Sequence, residues 1–192
     1  MVADKYTSFE QLHAAESPAH FSVVFEHRAA AEAILLAPHG GRIENHTSEI
    51  ARRIAADRHS YYAFEGRKLR GNRDLHITSH RFDEPTALLL VPQHRWVVAI
   101  HGCNGDSSRV LLGGLDTQLK TAIEARLNAH GVASESVGHR YPGVDPNNIC
   151  NRGARGVGVQ IELTTAFRAG NEWQALINAT QEALAAFCRP QD

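Results

Sequence analysis

Three segments of the chain end on side chains able to do chemistry. A-P-H-G-G-R-I-E-N carries His39 and Glu44 after the apolar run Ala33 to Ala37. V-V-A-I-H-G-C-N-G carries His101 after the run Trp96 to Ile100, and G-V-G-V-Q-I-E-L carries Glu162. Two histidines and a glutamate are a common ligand set for catalytic zinc, which takes three protein ligands and keeps its fourth position for water. The metal lowers the pKa of that water to about 7 and polarises a carbonyl. A second, free carboxylate then accepts the water proton and passes it to a leaving nitrogen. His39, Glu44 and His101 suit the metal, and Glu162 is the spare carboxylate. The chemistry implied is hydrolysis of an amide bond with one zinc ion. Gly40 and Gly41 allow a tight turn after His39 so that Glu44 can return to the same ion, and Gly102 is read as serving similarly after His101.

Each residue also has a structural reading. A histidine at a strand end is commonly a hydrogen-bonded structural group, and HxxxxE spacing arises often by chance. Alternation along VGVQIEL puts Gln160 and Glu162 on one face and Ile161 and Leu163 on the other. That polar face either works as a catalytic surface or is simply solvated at an antiparallel edge. His76 and His80, in LHITSHRF, either line the site or serve structure. Asn45 and His46 can orient Glu44 from behind. Tyr141 can offer a hydroxyl to a tetrahedral intermediate, and Cys103 reads as a small apolar packing group.

These residues need elements to hold them. Phe21–Phe25, Ala33–Ala37, Tyr61–Phe64, Trp96–Ile100, Val110–Leu112 and Val157–Leu163 read as strands. The continuous apolar runs suit strands covered on both faces, as in parallel or mixed sheets. Thr47–Ala56 reads as an amphipathic helix with Ile50 and Ile54 four apart and Ser48 as N-cap. Asp116–His130 reads as a helix closed by Gly131, and Glu172–Phe187 as a last one. Pro85–Leu90 is compatible with helix or strand. Strands alternating with helices predict an α/β fold, a mixed open sheet with helices on both faces. In such sheets ligands bind outside the carboxyl ends of the strands, where His39, His101 and Glu162 fall.

The chain has 192 residues, 43% of them hydrophobic, and a formal net charge of -1. That length, with no repeat or linker, predicts one domain over 1–192. The near-neutral balance offers no argument for nucleic acid or a membrane surface. No apolar run approaches the roughly 20 residues that span a bilayer. The polar start MVADKYTSFEQLHAAE lacks an apolar signal region, so a cytoplasmic protein is expected. Three cysteines, Cys103, Cys150 and Cys188, match neither a CxxC motif nor a disulfide framework.

The segments APHGGRIENHTSEIA, LHITSHRFDEP, VVAIHGC and NICNRGARGVGVQIEL together resemble the poly-γ-glutamate hydrolases, zinc peptidases of bacteriophages and bacteria with a zinc-carboxypeptidase-like core. The resemblance covers roughly Ile34 to Phe167. It implies that His39 and Glu44 are the first two ligands, that His101 is the second histidine ligand, and that Glu162 is the general base. It selects Glu44 over Glu49, and it allows a phage or prophage origin as well as a host one. The HGGRIE spacing is two residues longer than the HxxE of zinc carboxypeptidases and agrees with the poly-γ-glutamate hydrolase pattern. Asn151-Arg152 looks like the Asn-Arg pair that holds a terminal carboxylate in zinc carboxypeptidases, although here it follows the second histidine.

Poly-γ-glutamate carries a free α-carboxylate on each unit, and arginine reads carboxylates through its planar fork. Arg152, Arg155 and Arg42 are therefore expected substrate contacts, and the resemblance adds Asn151; alternatively the arginines are solvated in a glycine-rich loop or paired with a surface carboxylate. Two other functions fit the same sequence. One is a zinc amidohydrolase acting on small N-acyl amino acids or cell-wall γ-glutamyl peptides. The other is a non-catalytic binding module, against which the retention of His39, Glu44, His101 and Glu162 argues. Substrate length and oligomeric state have no signature in the residues.

Overall fold

A computed structural model describes residues 3–188. Among them one seven-stranded sheet forms the frame. Its strands are β1 (Phe21–Glu26), β2 (Ala33–Gly41), β3 (Ser60–Gly66), β4 (Trp96–Cys103), β5 (Val110–Gly113), β6 (Ser134–Glu135) and β7 (Val159–Thr164). Their order is β1-β3-β2-β4-β7-β5-β6. β3, β2, β4 and β7 run parallel, while β1 and β5 pair antiparallel to β3 and β7. The sheet is mixed, as its apolar runs predict, and the four parallel strands end at one common edge.

Helices cover both faces. Leu35, Ala37, Val98, Ile100, Ile161 and Leu163 point to one side and pack with α2 (Thr47–Ala55), α4 (Thr117–Ala129) and α6 (Trp173–Phe187). Ile34, Leu36, Val97 and Ala99 point to the other, toward α1 (Phe9–Ala15) and α3 (Pro85–Leu90). The helical spacing of Ile50 and Ile54 buries both completely, each contributing about 1.5–3 kcal/mol of hydrophobic stabilisation. The short helix α5 (Thr165–Ala169) follows β7 directly, with Thr164 as its N-cap.

Several elements differ in detail from the sequence reading. Ser48 does not cap α2: the helix starts after His46, which adopts a left-handed conformation at φ 74° without a side-chain cap. The Ser48 hydroxyl instead accepts from the Gly41 N–H at 3.3 Å. Pro85–Leu90 is a helix, because Pro85 occupies its first turn and Glu84 accepts from the Ala87 N–H. β7 begins at Val159, and the Gly158 carbonyl before it accepts from Asp116 N–H at 3.0 Å. α1 and α5 have no long apolar period and were not read from the sequence.

Candidate metal centre

The site forms where β2, β4 and β7 run out. His101 and Glu162 are register partners on adjacent parallel strands. Both point to the face of Val97 and Ala99, because alternation places them opposite Ile100 and Ile161. His39 reaches that face through a bulge. Against β3, β2 steps from Ala37↔Ala63 to Gly40↔Glu65, so that Pro38 and His39 stand opposite Phe64 alone. An extra residue reverses the alternation, so His39 shares the side of Ile34 and Leu36 despite its odd position. Pro38, which lacks an N–H, sits inside the bulge, where a ladder donor is not needed.

Beyond the bulge the chain doubles back. Gly41 takes φ 61°, and a Cβ there would stand 2.6 Å from the Gly66 carbonyl oxygen. The Glu44 N–H donates to the His39 carbonyl at 3.0 Å, and the buried Thr47 hydroxyl donates to the Glu44 carbonyl at 2.8 Å. This pinned turn returns Glu44 to His39. Gly102 does not turn the chain: it lies within β4, and its N–H donates to Glu44 Oε2 at 2.7 Å. A Cβ on it would meet Arg168 at 2.7 Å and the Glu44 side chain at 3.0 Å.

His39 Nδ1 lies 3.1 Å from His101 Nδ1 and 3.3 Å from Glu44 Oε1, while His101 Nδ1 is 3.8 Å from Glu44 Oε2. His39 Nε2 sits 2.8 Å from the Ile77 carbonyl. A carbonyl only accepts, so Nε2 carries the proton and Nδ1 presents a lone pair. Tetrahedral ligands about 2.1 Å from a zinc stand about 3.4 Å apart. Two facing imidazole nitrogens and a carboxylate at these separations fit such an ion. The ligands also favour the forms a metal needs. Burial, followed by the His39 charge, lowers His101 to about 3. Burial opposes ionisation of Glu44, but His39, His101 and the Gly102 N–H outweigh it and hold Glu44 below the usual range.

Glu162 is buried and differently tuned. Burial and then the Glu44 charge push it well above the usual carboxylate range, against the pull of Arg168, Arg140 and Gln160. Gln160 Nε2 donates to Glu162 Oε1 at 3.0 Å, and Asn148 Nδ2 donates to Gln160 Oε1 at 2.7 Å. This buried relay fixes one oxygen of Glu162. Gln160 was legible two residues before Glu162 on the same face; Asn148, on the preceding loop, carried no signal.

The walls include residues that the sequence reading placed only loosely or missed. His76 stacks on His39 with ring centroids 3.9 Å apart, and its Nε2 is 3.7 Å from Glu44 Oε1; His80 is exposed. Ser79 Oγ lies 3.5 Å from His101 Nε2. Arg168 donates to the carbonyls of Leu163, Asn45 and Cys103 and so ties α5 to the ends of β4 and β7. Burial raises the Cys103 thiol to about 11, consistent with a packing group. Arg140 is exposed and donates to the Tyr141 hydroxyl at 3.0 Å.

The expected substrate contacts fare differently. Arg155 stacks on Trp96 at 3.9 Å and pairs with Asp116 at 2.5 Å. Trp96 begins β4 five residues before His101, about 16 Å away along the strand, so Arg155 serves the opposite end of the sheet. Asn151 is buried, its oxygen accepting from Leu115 and Gly158 and its nitrogen donating to Gly143 and Asp145. That exhausts its capacity, and it braces the loop instead of holding a carboxylate. Arg152 is exposed beside Gly153, which packs on Val97 near the start of β4. Arg42 is exposed and donates to the Lys68 carbonyl at 3.2 Å. Asn148, at the head of this stretch, reaches the Glu162 relay, while Arg155 and Gly153 lie at the start of β4.

The chain is similar to known proteins over nearly all of this frame. A profile of the family described as poly-gamma-glutamate hydrolase matches residues 6–182. The UPF0714 protein YndL of Bacillus subtilis (strain 168) is 38% identical over 167 residues, covering 86% of this chain and 66% of YndL. The SPbeta prophage-derived UPF0714 protein YoqZ of the same organism is 38% identical over 170 residues, covering 88% of this chain and 61% of YoqZ. The chain therefore spans less than two thirds of the length of either relative. A bacteriophage poly-gamma-glutamate hydrolase structure superposes with TM-score 0.91 at 33% identity, over 96% of this chain and 98% of that one. A zinc-free structure of YndL superposes with TM-score 0.89 at 33% identity, over 95% and 98%. With its sheet, its His-Glu-His cluster and this match in view, the chain belongs to the poly-gamma-glutamate hydrolase family.

Proposed function

We propose that residues 1–192 act as one hydrolase domain that binds a single zinc ion through His39, Glu44 and His101 and cleaves γ-glutamyl amide bonds of poly-γ-glutamate. The observation that carries the reading is the gathering of His39 Nδ1, His101 Nδ1 and the Glu44 carboxylate within 4.8 Å of one another, with buried Glu162 as register partner of His101. The zinc-free YndL structure and the family description support the metal and the substrate. The prophage-derived relative supports a phage or prophage origin. Among the described residues no helix is long and apolar enough to cross a membrane, and we place the activity in the cytoplasm.

Zinc in such a site polarises the scissile carbonyl and makes a water acidic enough to attack at neutral pH. The protein's own groups do the rest. Glu162 takes the proton of the attacking water and delivers it to the departing amide nitrogen. The Gln160 amide holds Oε1 still, so the carboxylate keeps one orientation through both transfers. Ile77 and Gly102 aim His39 and Glu44 from behind. Arg140 is exposed and acts on Glu162, and we assign it to read an α-carboxylate of the substrate.

The substrate assignment is tested by comparing amine release from γ-glutamyl oligomers with deacylation of N-acyl glutamates by zinc-loaded protein. The expected result is a kcat/KM for the oligomers at least about tenfold higher, a difference of 1.4 kcal/mol. A preference for the N-acyl amino acids would replace poly-γ-glutamate as the substrate.

A further inference from the structure

Asp4 lies far from the ligands in sequence, yet both of its carboxylate oxygens are engaged at the wall of the metal centre. Oδ1 stands 2.7 Å from His76 Nδ1, and Oδ2 accepts from the Thr78 N–H at 2.7 Å. Arg73 approaches Oδ1 at 3.4 Å from the solvent side. Between the two clamped residues lies Ile77, whose carbonyl accepts the proton of His39 Nε2. The clamped His76 ring itself stacks on His39 and faces Glu44. One carboxylate thus holds the three-residue segment that orients one ligand by hydrogen bond and by stacking and lies against a second.

We propose that Asp4 is a positioning residue of the metal centre, acting through His76 and Thr78 to hold the Ile77 carbonyl on His39 and so to raise the affinity for zinc. A ligating histidine whose outer ring nitrogen is fixed presents its inner lone pair in one direction, and loss of such outer partners typically weakens metal binding 10–100-fold. Without Asp4 the 76–78 segment keeps its chain connectivity but loses the two bonds that set its height against His39. The inference rests on reading His39, Glu44 and His101 as the metal set.

The test is zinc affinity, measured by competition with a chromophoric chelator, for the parent protein, Asp4→Ala, Asp4→Asn and Ser8→Ala. Asp4→Ala is expected to weaken zinc binding about 10–100-fold. Asp4→Asn keeps the volume and an oxygen for the Thr78 N–H, so it folds as the parent does and falls between the parent and Asp4→Ala. Ser8→Ala removes the N-cap of the adjacent α1 and leaves zinc affinity unchanged. Parent-like affinity in Asp4→Ala, or in Asp4→Asn should the alanine variant not fold, would overturn the proposal. An equal loss in Ser8→Ala would also overturn it, because general loosening of the N-terminal segment would then be the cause. A parent protein that binds no zinc would instead overturn the metal reading on which the proposal stands.

Discussion

His39, Glu44, His101 and Glu162 are four titratable groups packed into one buried volume, and their environments divide the work among them. Glu44 is held ionised by the histidines and a backbone N–H, while burial and Glu44 itself make Glu162 hold its proton more tightly. Two neighbouring carboxylates pushed in opposite directions suit different acid–base roles, which supports the proposed assignment. Arg155 belongs to a different structure. Its guanidinium covers the Trp96 ring and neutralises the buried Asp116 at the start of α4. Arg155→Ala is expected to destabilise the protein by about 1 to 3 kcal/mol in denaturant unfolding and to leave zinc binding and kcat unchanged. A large fall in kcat without a loss of stability would return Arg155 to the substrate site. Residue type alone could not separate it from a substrate contact, since an arginine among glycines looks the same at either end of a sheet.

At the scale of elements, the bulge in β2 matters most. Regular alternation from Ile34 and Leu36 would send His39 into the opposite core, away from His101 and Glu162. The sequence shows the strand, and Pro38 marks where pairing must lapse, but periodicity does not say that the following residue changes sides. The strand ends and the shared face of Gln160 and Glu162 were legible because burial dictates the period of two. The height of the 76–79 segment was not, because it depends on Asp4, 72 residues from its partner His76. Gly41 completes the bulge with a left-handed φ and no room for a Cβ. Gly41→Ala should cost about 1–2 kcal/mol for the backbone conformation alone, and contact with the Gly66 carbonyl adds to it. It should displace the turn carrying Glu44, and chelator competition should register at least about a tenfold loss of zinc affinity. Unchanged affinity would mean that the turn adapts without moving the ligands.

Among the described residues a parallel core of four strands carries antiparallel flanks, and that architecture explains why side chains scattered between residues 39 and 162 meet. Parallel strands end together, so β2, β4 and β7 bring His39, His101 and Glu162 to one edge, and the helices on both faces keep those ends in place. The fold class and the chemistry-bearing edge were readable from apolar runs and what followed them. The course of the 147–158 loop was not, because an irregular glycine-rich segment has no period from which its direction can be inferred. In the proposed reaction Glu162 moves the proton while His39, Glu44 and His101 alone hold the zinc. The rate of amine release from poly-γ-glutamate by Glu162→Gln and parent protein, each loaded to the same zinc content, separates these roles. The variant is expected to load zinc as the parent does and to be at least about 100-fold slower. Equal rates at equal zinc content would remove Glu162 from the proton transfer.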